Sequence, residues 1–487
     1  MNDGLVFQPV PGRTTTMTFM SDWPLSKPNR DLNGDQKAAT IGGVRRHVLS
    51  SANRKSLWRR TPVKGSLRWL AQEDPRFAGR FGLSIRTKHV AAKLIAEPML
   101  GMSGVAEALN KLGISQENHA SKLVELGVEV FNVLQKGGMK NGAGAADAAG
   151  SDQDAEGEDE AAGGDDSVGK GSKSAIAAYG IREMQAVREL LAARLADAKS
   201  FQAVLHGSGK KKGEGAADTS LVDLLSRSDK LVSLWGLSRL ERTGIDGALF
   251  GTMVTKHDFR VAAPSAVQVG HSITVHRAFD FETLEIARDD LEETSSAAMM
   301  IDASYASGLY LTSVTIDHAQ LIENVMPPLV KEGGGLWAKR IEFRRWTEAS
   351  PQDIELAQEV ARALVVSILY TTDHAMQTQT NARIMPCYAL AETGTKGTLN
   401  HAGAFTRPID DRRRGSNSIL GDAITRLREH AAAFDRAYGL VDARAELMVA
   451  PDAAAAESPN DWTSSRLNGA DALADWVRSQ VRAADGG

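Results

Sequence analysis

The sequence predicts an α+β protein. Three observations carry that prediction. Strand-like segments stand at Thr14–Met20 (TTTMTFM), His271–Phe279 (HSITVHRAF) and Ser307–Ile316 (SGLYLTSVTI), rich in β-prone residues and partly alternating. Between about Ser66 and Thr243 apolar residues return every three or four positions, as on amphipathic helices. Helical patterns recur at Pro351–Tyr370 and at the end of the chain. The length of 487 residues suffices for two or three domains or one elaborated one, and 42% hydrophobic content supports a sizeable core. The single Cys387 excludes an intrachain disulfide and a cysteine-based metal cluster. No apolar run reaches about 18 residues, so no membrane span is expected. The N-terminus lacks a basic region followed by an apolar one, which makes a soluble cytoplasmic protein the simplest reading.

Taken in order, residues 1–13 read as a loose leader and Thr14–Met20 as the first strand. The stretch from Trp23 to Arg60 follows. Between Ser21 and Leu70 eleven Lys and Arg face three Asp, a local charge of +8 in a chain of net charge −4. Such a local excess points to a polyanionic partner. SKPNRDLNGD is dense in turn residues and reads as a loop. In GGVRRHV, Gly42 and Gly43 let the backbone turn or approach a ligand closely. Ser50 or Ser51 offers an N-cap for a helix running to about Arg60, with Lys55 and Arg59 on one face. A helix N-terminus, the Gly-Gly amides and the cations together predict a phosphate cradle; a solvated basic helix is the alternative.

The helical region includes Val105–Gly113, ending on a glycine, and a segment from Ser115 to Gly137. Ile181, Met184, Val187, Leu191 and Leu195 form a further stripe, read as core. Another helix or pair of helices begins near Thr219. Two low-complexity segments interrupt the region. Gly137–Ser174 has nine acids and no base between Lys140 and Lys170, and is expected to be disordered. His206–Asp218 contains GSGKKKGEG, whose spacing is wrong for a phosphate loop, and reads as a flexible linker.

A second block starts at Gly244. His271 and His276, five apart on a strand, are expected on opposite faces and not as a metal pair. Glu282–Asp302 fits neither a helical nor a strand period. Lys331–Ser350 interleaves five cations with Trp337, Phe343 and Trp346, as a surface hairpin or a single-strand nucleic-acid site would. Pro351 starts a helix to Tyr370. RIMPCYALAE reads as a strand, with Pro386 favouring an edge. The terminal helix places Leu473, Trp476, Val477 and Val481 on one side.

The order N-R-D, Q-K-x-A, G-G-x-R-R and S-S-x-x-x-K-x-x-x-R resembles the CasC backbone subunit of type I-E CRISPR Cascade complexes, in the Cas seven superfamily. It is carried by Asn29, Arg30, Asp31, Gln36, Lys37, Gly42, Gly43, Arg45, Arg46, Ser50, Ser51, Lys55 and Arg59. The family usually has Gln after the two serines, and this chain has Ala52, with Asn53 next. The second block adds His271, Ile273, Thr274, His276, Asp289, Asp290, Leu291, Glu293, Ser307 and Gly308.

The resemblance implies an RRM-like (ferredoxin-like) palm, an inserted helical fingers region and a β-hairpin thumb. The palm would comprise 14–65, 244–276 and 307–487 with C-terminal helices. The fingers would comprise 66–243, with the acidic insertion 137–174 and the linker 206–218, and the thumb 277–306. The implied protein is a non-catalytic subunit without cofactor or metal that polymerises along CRISPR guide RNA and supports pairing with a target DNA strand in antiviral defence. Its partners would be further copies of itself and the other Cascade subunits, namely guide-end cap, small and large subunits, and no membrane. The implied RNA contacts are Asn29, Arg30, Lys37, Gly42, Gly43, Arg45, Arg46, Ser51, Lys55, Arg59, Met253 and His271. Leu284, Ile286 and Met299 would wedge between bases.

Two other readings are open. One is an RNA-cleaving, type III-like subunit using Asp31 or Asp35 as the acid, although a salt bridge or turn cap also explains Asp31. The other is a structural protein that merely polymerises. H-E-x-x-H, G-x-S-x-G and a dinucleotide fingerprint are all absent from the sequence.

Overall fold

The computed structural model describes residues 12–31, 34–77, 82–86, 90–111, 113–124, 176–196, 236–252, 263–287, 299–332, 339–371, 377–410, 418–454 and 456–482. The acidic segment expected at 137–174 and the linker expected at 206–218 lie outside these residues, as does Met253.

The fold is mixed α+β, built on one mostly antiparallel sheet. Its strands are β1 (Thr14–Ser26), β2 (Ala38–Ile41), β3 (Val44–Leu49), β6 (Val267–Val269), β7 (Ser272–Thr274), β8 (Phe279–Ala287), β9 (Met299–Asp317), β12 (Tyr388–Gly394), β13 (Ala443–Met448) and β14 (Ser465–Leu467). The order is β14-β13-β12-β1-β9-β7-β3-β2, with β6 and β8 also paired to β9. Among the described strand pairs only β13–β14 is parallel. Outside the sheet, β4 (Gly82–Arg86) pairs with β5 (Ile176–Gly180), and β10 (Leu329–Glu332) with β11 (Lys339–Glu342).

The two longest strands, β1 and β9, form the spine, in register from Thr14↔Asp317 to Trp23↔Gly308. β1 runs past the expected Met20 to Ser26, across an irregularity that accommodates Pro24. Both faces of the spine are covered. Met17, Phe19, Val314 and Ile316 face one core, while Met20, Leu309 and Leu311 face another. This leaves Thr15, Thr16 and Thr18 buried, and they pair across strands. Thr16 meets Thr315 at 2.6 Å, and Thr18 meets Ser313 at 3.3 Å.

The first core lies under α1 (Ser51–Trp58), α2 (Leu67–Glu73), α5 (Arg239–Phe250), α6 (His318–Val325), α7 (Pro351–Tyr370) and α9 (Ala470–Gln480). Helices α3 (Val105–Lys111) and α4 (Ile181–Ala196) belong to the region between α2 and α5. In α7, Ser350 accepts from Asp353 N–H at 3.2 Å and the Asp353 carboxylate accepts from Ser350 N–H at 2.9 Å, with Pro351 at the first turn. The second core lies under α8 (Ile419–Tyr438) and the turn His401–Phe405.

Within 66–243, read as mainly helical, β4 and β5 pair across a long sequence separation that no local period announces. Three expectations change. The division at 243/244 falls within α5, at the kink where Gly244 has φ +77°. β12 is not an edge strand: it lies between β1 and β13 with every residue buried, and Pro386 precedes it. Glu282–Asp302 contributes to two strands, since β8 and β9 form a hairpin from Phe279↔Ser307 to Ala287↔Met299.

Candidate nucleic-acid interface

The basic stretch folds as loop, hairpin and helix. In the loop, Asn29 is a clamp. Its N–H donates to Gln36 Oε1 at 3.0 Å, and its Oδ1 accepts from Ser50 N–H at 2.8 Å. Lys37 N–H donates to the Asn29 carbonyl at 2.8 Å. Asp31 closes the turn by accepting from Asp35 N–H at 3.0 Å. Asp35 in turn accepts from Ser304 Oγ on β9 at 2.6 Å. Arg30 is exposed and Lys37 half-buried, and neither forms an ion pair among the described residues.

Gly42 and Gly43, at φ +61° and +81°, make the two-residue turn joining β2 to β3. A Cβ on Gly42 would lie 1.7 Å from the Thr406 carbonyl oxygen, so this glycine permits the hairpin to rest on the 401–406 turn. The α1 helix begins beyond the other end of β3. At about 3.3 Å per residue, the Gly-Gly turn and the helix start are roughly 20 Å apart. The single cradle expected from sequence is therefore two places.

The start of α1 draws Asn29, Ser50, Ser51 and His271 together. Ser50 Oγ accepts from Asn53 N–H at 3.3 Å, and Ser51 N–H donates to His271 Nδ1 at 3.2 Å. The amides of Ser50, Ser51 and Asn53 are thus taken by side chains of the chain itself. Lys55 and Arg59 share a face, as expected, but that face is turned toward α5. Arg59 Nη2 lies 2.6 Å from Asp246 Oδ2, and Lys55 Nζ stands 5.8 Å from the Phe250 ring centre. Burial lowers the pKa of Lys55.

The adjacent arginines of β3 part company. Arg46 is fully buried. Its guanidinium donates to the carbonyls of Thr274 at 2.6 Å and Phe405 at 2.9 Å, so its charge is not offered to the surface. Burial lowers its pKa. Alternation along the strand explains the split, with Arg45 pointing outward. Arg45 pairs with Asp280 on β8, and its side chain stays 55% exposed.

Beyond the sheet, Leu284, Ile286 and Met300 are 49%, 51% and 62% exposed. The register sets Ile286 opposite Met300 and Leu284 opposite Asp302. Met299, the residue expected in this set, stands opposite Ala287, one position out of phase. His276 is buried and structural: its Nε2 accepts from Leu309 N–H at 3.0 Å and its ring stacks on Phe279 at 4.3 Å. A Cβ on Gly308 would come 2.7 Å from His276 Cε1, which explains a glycine there.

The 331–350 insertion overlaps the β10–β11 strand pair, which starts at Leu329, with Lys331 Nζ 2.5 Å from Glu342 and Arg344 3.6 Å from Asp353. Arg239 covers the Phe343 ring at 4.0 Å, and Trp346 packs against the main core. These residues serve the fold, and Trp337 lies outside the described residues. Among the described residues no group of His, Cys, Asp and Glu could hold a metal ion, and no helix is long and apolar enough to cross a membrane. Sequence reasoning missed His47 and Asp280, which meet at the foot of β8; nothing in RAFDFETL singles out that aspartate.

A search of curated proteins finds no match. Among solved structures, the chain resembles one described as "CRISPR RNA-guided surveillance complex, pre-nicking", with a TM-score of 0.56 and 16% identity over 96% of this chain and 100% of that one. It also resembles one described as "CRISPR RNA-guided surveillance complex", with a TM-score of 0.52 and 17% identity over 96% of this chain and 99% of that one. At these identities the likeness shows the fold. The model of the CT1975-like protein family matches residues 16–476, nearly the whole sheet with its helical cover, and the chain therefore belongs to that family.

Proposed function

We propose that this chain is a guide-RNA-binding backbone subunit of a Cascade-type CRISPR surveillance complex, of type I-E. Copies polymerise head-to-tail along the guide and support its pairing with target DNA. The observation that carries the reading is a juxtaposition. The sheet edge at β2–β3, with Arg45 exposed on it and Arg30 exposed and Lys37 half-buried in the loop before it, lies beside a hairpin that holds Leu284, Ile286 and Met300 out in solvent. The fold shared with chains of RNA-guided complexes supports it.

The sheet order β12-β1-β9-β7, with α5 and α7 in the crossovers, reads as a ferredoxin-like, RRM-like palm. An ordinary RRM stacks bases on an open sheet face. Here both faces are covered, so the RNA is gripped by its phosphates at the edge, leaving its bases free to pair. The β8–β9 hairpin is the thumb. Its partners are the guide, the target strand, further copies and the other Cascade subunits.

A non-catalytic role is supported by the two candidate acids. Asp31 caps a turn, and Asp35 accepts from Ser304. The test is to sequence the RNA that copurifies with the protein and to incubate the assembled filament with complementary RNA and a divalent metal. Repeat-derived guides without cleavage are expected. Protein free of nucleic acid that forms no ordered assembly with guide RNA overturns the proposal, and metal-dependent cleavage replaces it with the type III-like reading.

A further inference from the structure

The foot of the β8–β9 hairpin is fastened to the basic stretch by carboxylates. Asp280, the second residue of β8, pairs with Arg45 through Oδ2 and accepts from His47 Nε2 through Oδ1 at 2.7 Å. His47 is fully buried, and its Nδ1 has no partner. The backbone adds Ala278 N–H to the Arg45 carbonyl at 2.8 Å. On the other strand, Ser304 donates to Asp35 at 2.6 Å, and Lys27 stands 5.8 Å from the Tyr305 ring centre. Two roles meet in one residue. Arg45 belongs to the edge that faces polyanions, yet in the free chain its charge is met by a carboxylate from the hairpin.

We propose that Asp280 is a positioning residue for guide binding, holding Arg45 as a phosphate would and giving it up to the guide backbone. Asp280 meets the guanidinium through one anionic oxygen, as a phosphodiester oxygen can, so the exchange conserves the arginine's placement. Arg45 is half in water, which lets a phosphate approach without unfolding the hairpin. Asp280 retains its bond to His47 after the exchange, so the hairpin foot stays seated while Asp280 loses one of its two ties. Guide binding and hairpin mobility are thereby coupled through one carboxylate. The inference rests on the functional reading above and adds to it.

The test uses the full chain, a synthetic guide RNA and Asp280→Asn, which keeps size and an acceptor while removing the charge. Affinity should rise several-fold, because no carboxylate has to be displaced, while the slope of log affinity against log salt should stay as in wild type, since Arg45 makes one phosphate contact in both. Arg45→Gln should weaken binding and flatten the slope by about 0.7. In the Arg45→Gln background, Asp280→Asn should gain nothing. A carboxylate that only holds the fold predicts the opposite sign, with weaker binding and a lower melting temperature. Asp280→Ser repeats the measurement if the asparagine variant fails to fold. A wild-type chain without affinity for the RNA overturns the functional reading and this inference together. A wild type that binds, with both Asp280 variants unchanged in affinity, overturns this inference alone.

Discussion

Arg59 closes on Asp246 at 2.6 Å, and the Asp246 side chain is only 5% exposed. One of the cations expected to hold RNA is therefore also a partner in a nearly buried ion pair. Burial raises the pKa of Asp246 even with Arg59 beside it. Arg59→Ala should cost about 3 kcal/mol, because it strands a carboxylate whose second oxygen already has no partner. The deficit should be larger at pH 8 than at pH 5, since a protonated Asp246 sheds its charge. Lys55→Gln should instead weaken RNA binding and leave the melting temperature alone. Equal melting temperatures for Arg59→Ala and wild type would place the pair's energy elsewhere.

The two turn glycines should not be equivalent. Gly43 needs only its positive φ, with open space where a Cβ would stand, whereas Gly42 also has the Thr406 carbonyl 1.7 Å from that point. Gly43→Ala should cost about 1 kcal/mol, the ordinary penalty of a left-handed L-residue. Gly42→Ala should cost more and lift the hairpin from the 401–406 turn, lowering RNA affinity as well. Thermal unfolding with an RNA titration decides this, and equal effects at both positions would sink the distinction.

Local chemistry announced some elements and concealed others. The cap at Ser50, the helix start at Pro351, the stripe Met184, Val187, Leu191 and Leu195, and the Gly-Gly turn all rest on neighbours in sequence, and all were legible. The partners of the basic residues were not. Arg45 and Arg46 are adjacent cations in the sequence, and only strand alternation against a distant turn sends one out and one in. The α8–β13 unit was missed because its interior is charged. Arg428 and Glu446, each 1% exposed, meet at 2.8 Å, and Tyr388 donates to the same carboxylate at 2.6 Å. A polarity pattern scores such residues as surface.

That network carries its own expectation. Arg428→Met should destabilise by about 3–5 kcal/mol, since it leaves Glu446 ionised in the core. The double change Arg428→Met with Glu446→Gln should recover part of the loss. Chemical denaturation of the three proteins measures it, and a double variant no better than the single would show that the loss is one of packing.

Acid should weaken the fold partly through His318. Its Nε2 shares a 2.9 Å hydrogen bond with Thr15, and burial, with Arg13 nearby, pushes its pKa down to about 3. The unfolded chain takes up a proton near pH 6.5, whereas the folded chain refuses it until about pH 3. Stability is therefore flat above pH 6.5 and falls as pH drops through that window, by about 2 kcal/mol at pH 5. His318→Gln should flatten this limb of the stability–pH curve. Superimposable acid limbs for the two proteins would remove His318 from the account.

The last prediction concerns the exposed apolar side chains of the β8–β9 pair. Ile286 and Met300 are directly opposed, and with Leu284 they are about half in water. A side chain already half exposed forfeits about 1 kcal/mol of burial when made polar, so the free subunit should stay folded. Under the proposed function these side chains enter the guide between bases. Unstacking costs a few kcal/mol per step, and only apolar insertion offsets it. Leu284→Asp with Met300→Asp should therefore leave the melting temperature nearly unchanged while impairing filament growth and target pairing. Met299→Asp, one register position away, should do much less. Chemical probing of the guide in assembled complexes reads the effect. Wild type should show reactive nucleotides at regular intervals, and the double variant should lose them. Uniform protection along the wild-type guide would show that no side chain of this hairpin enters the stack.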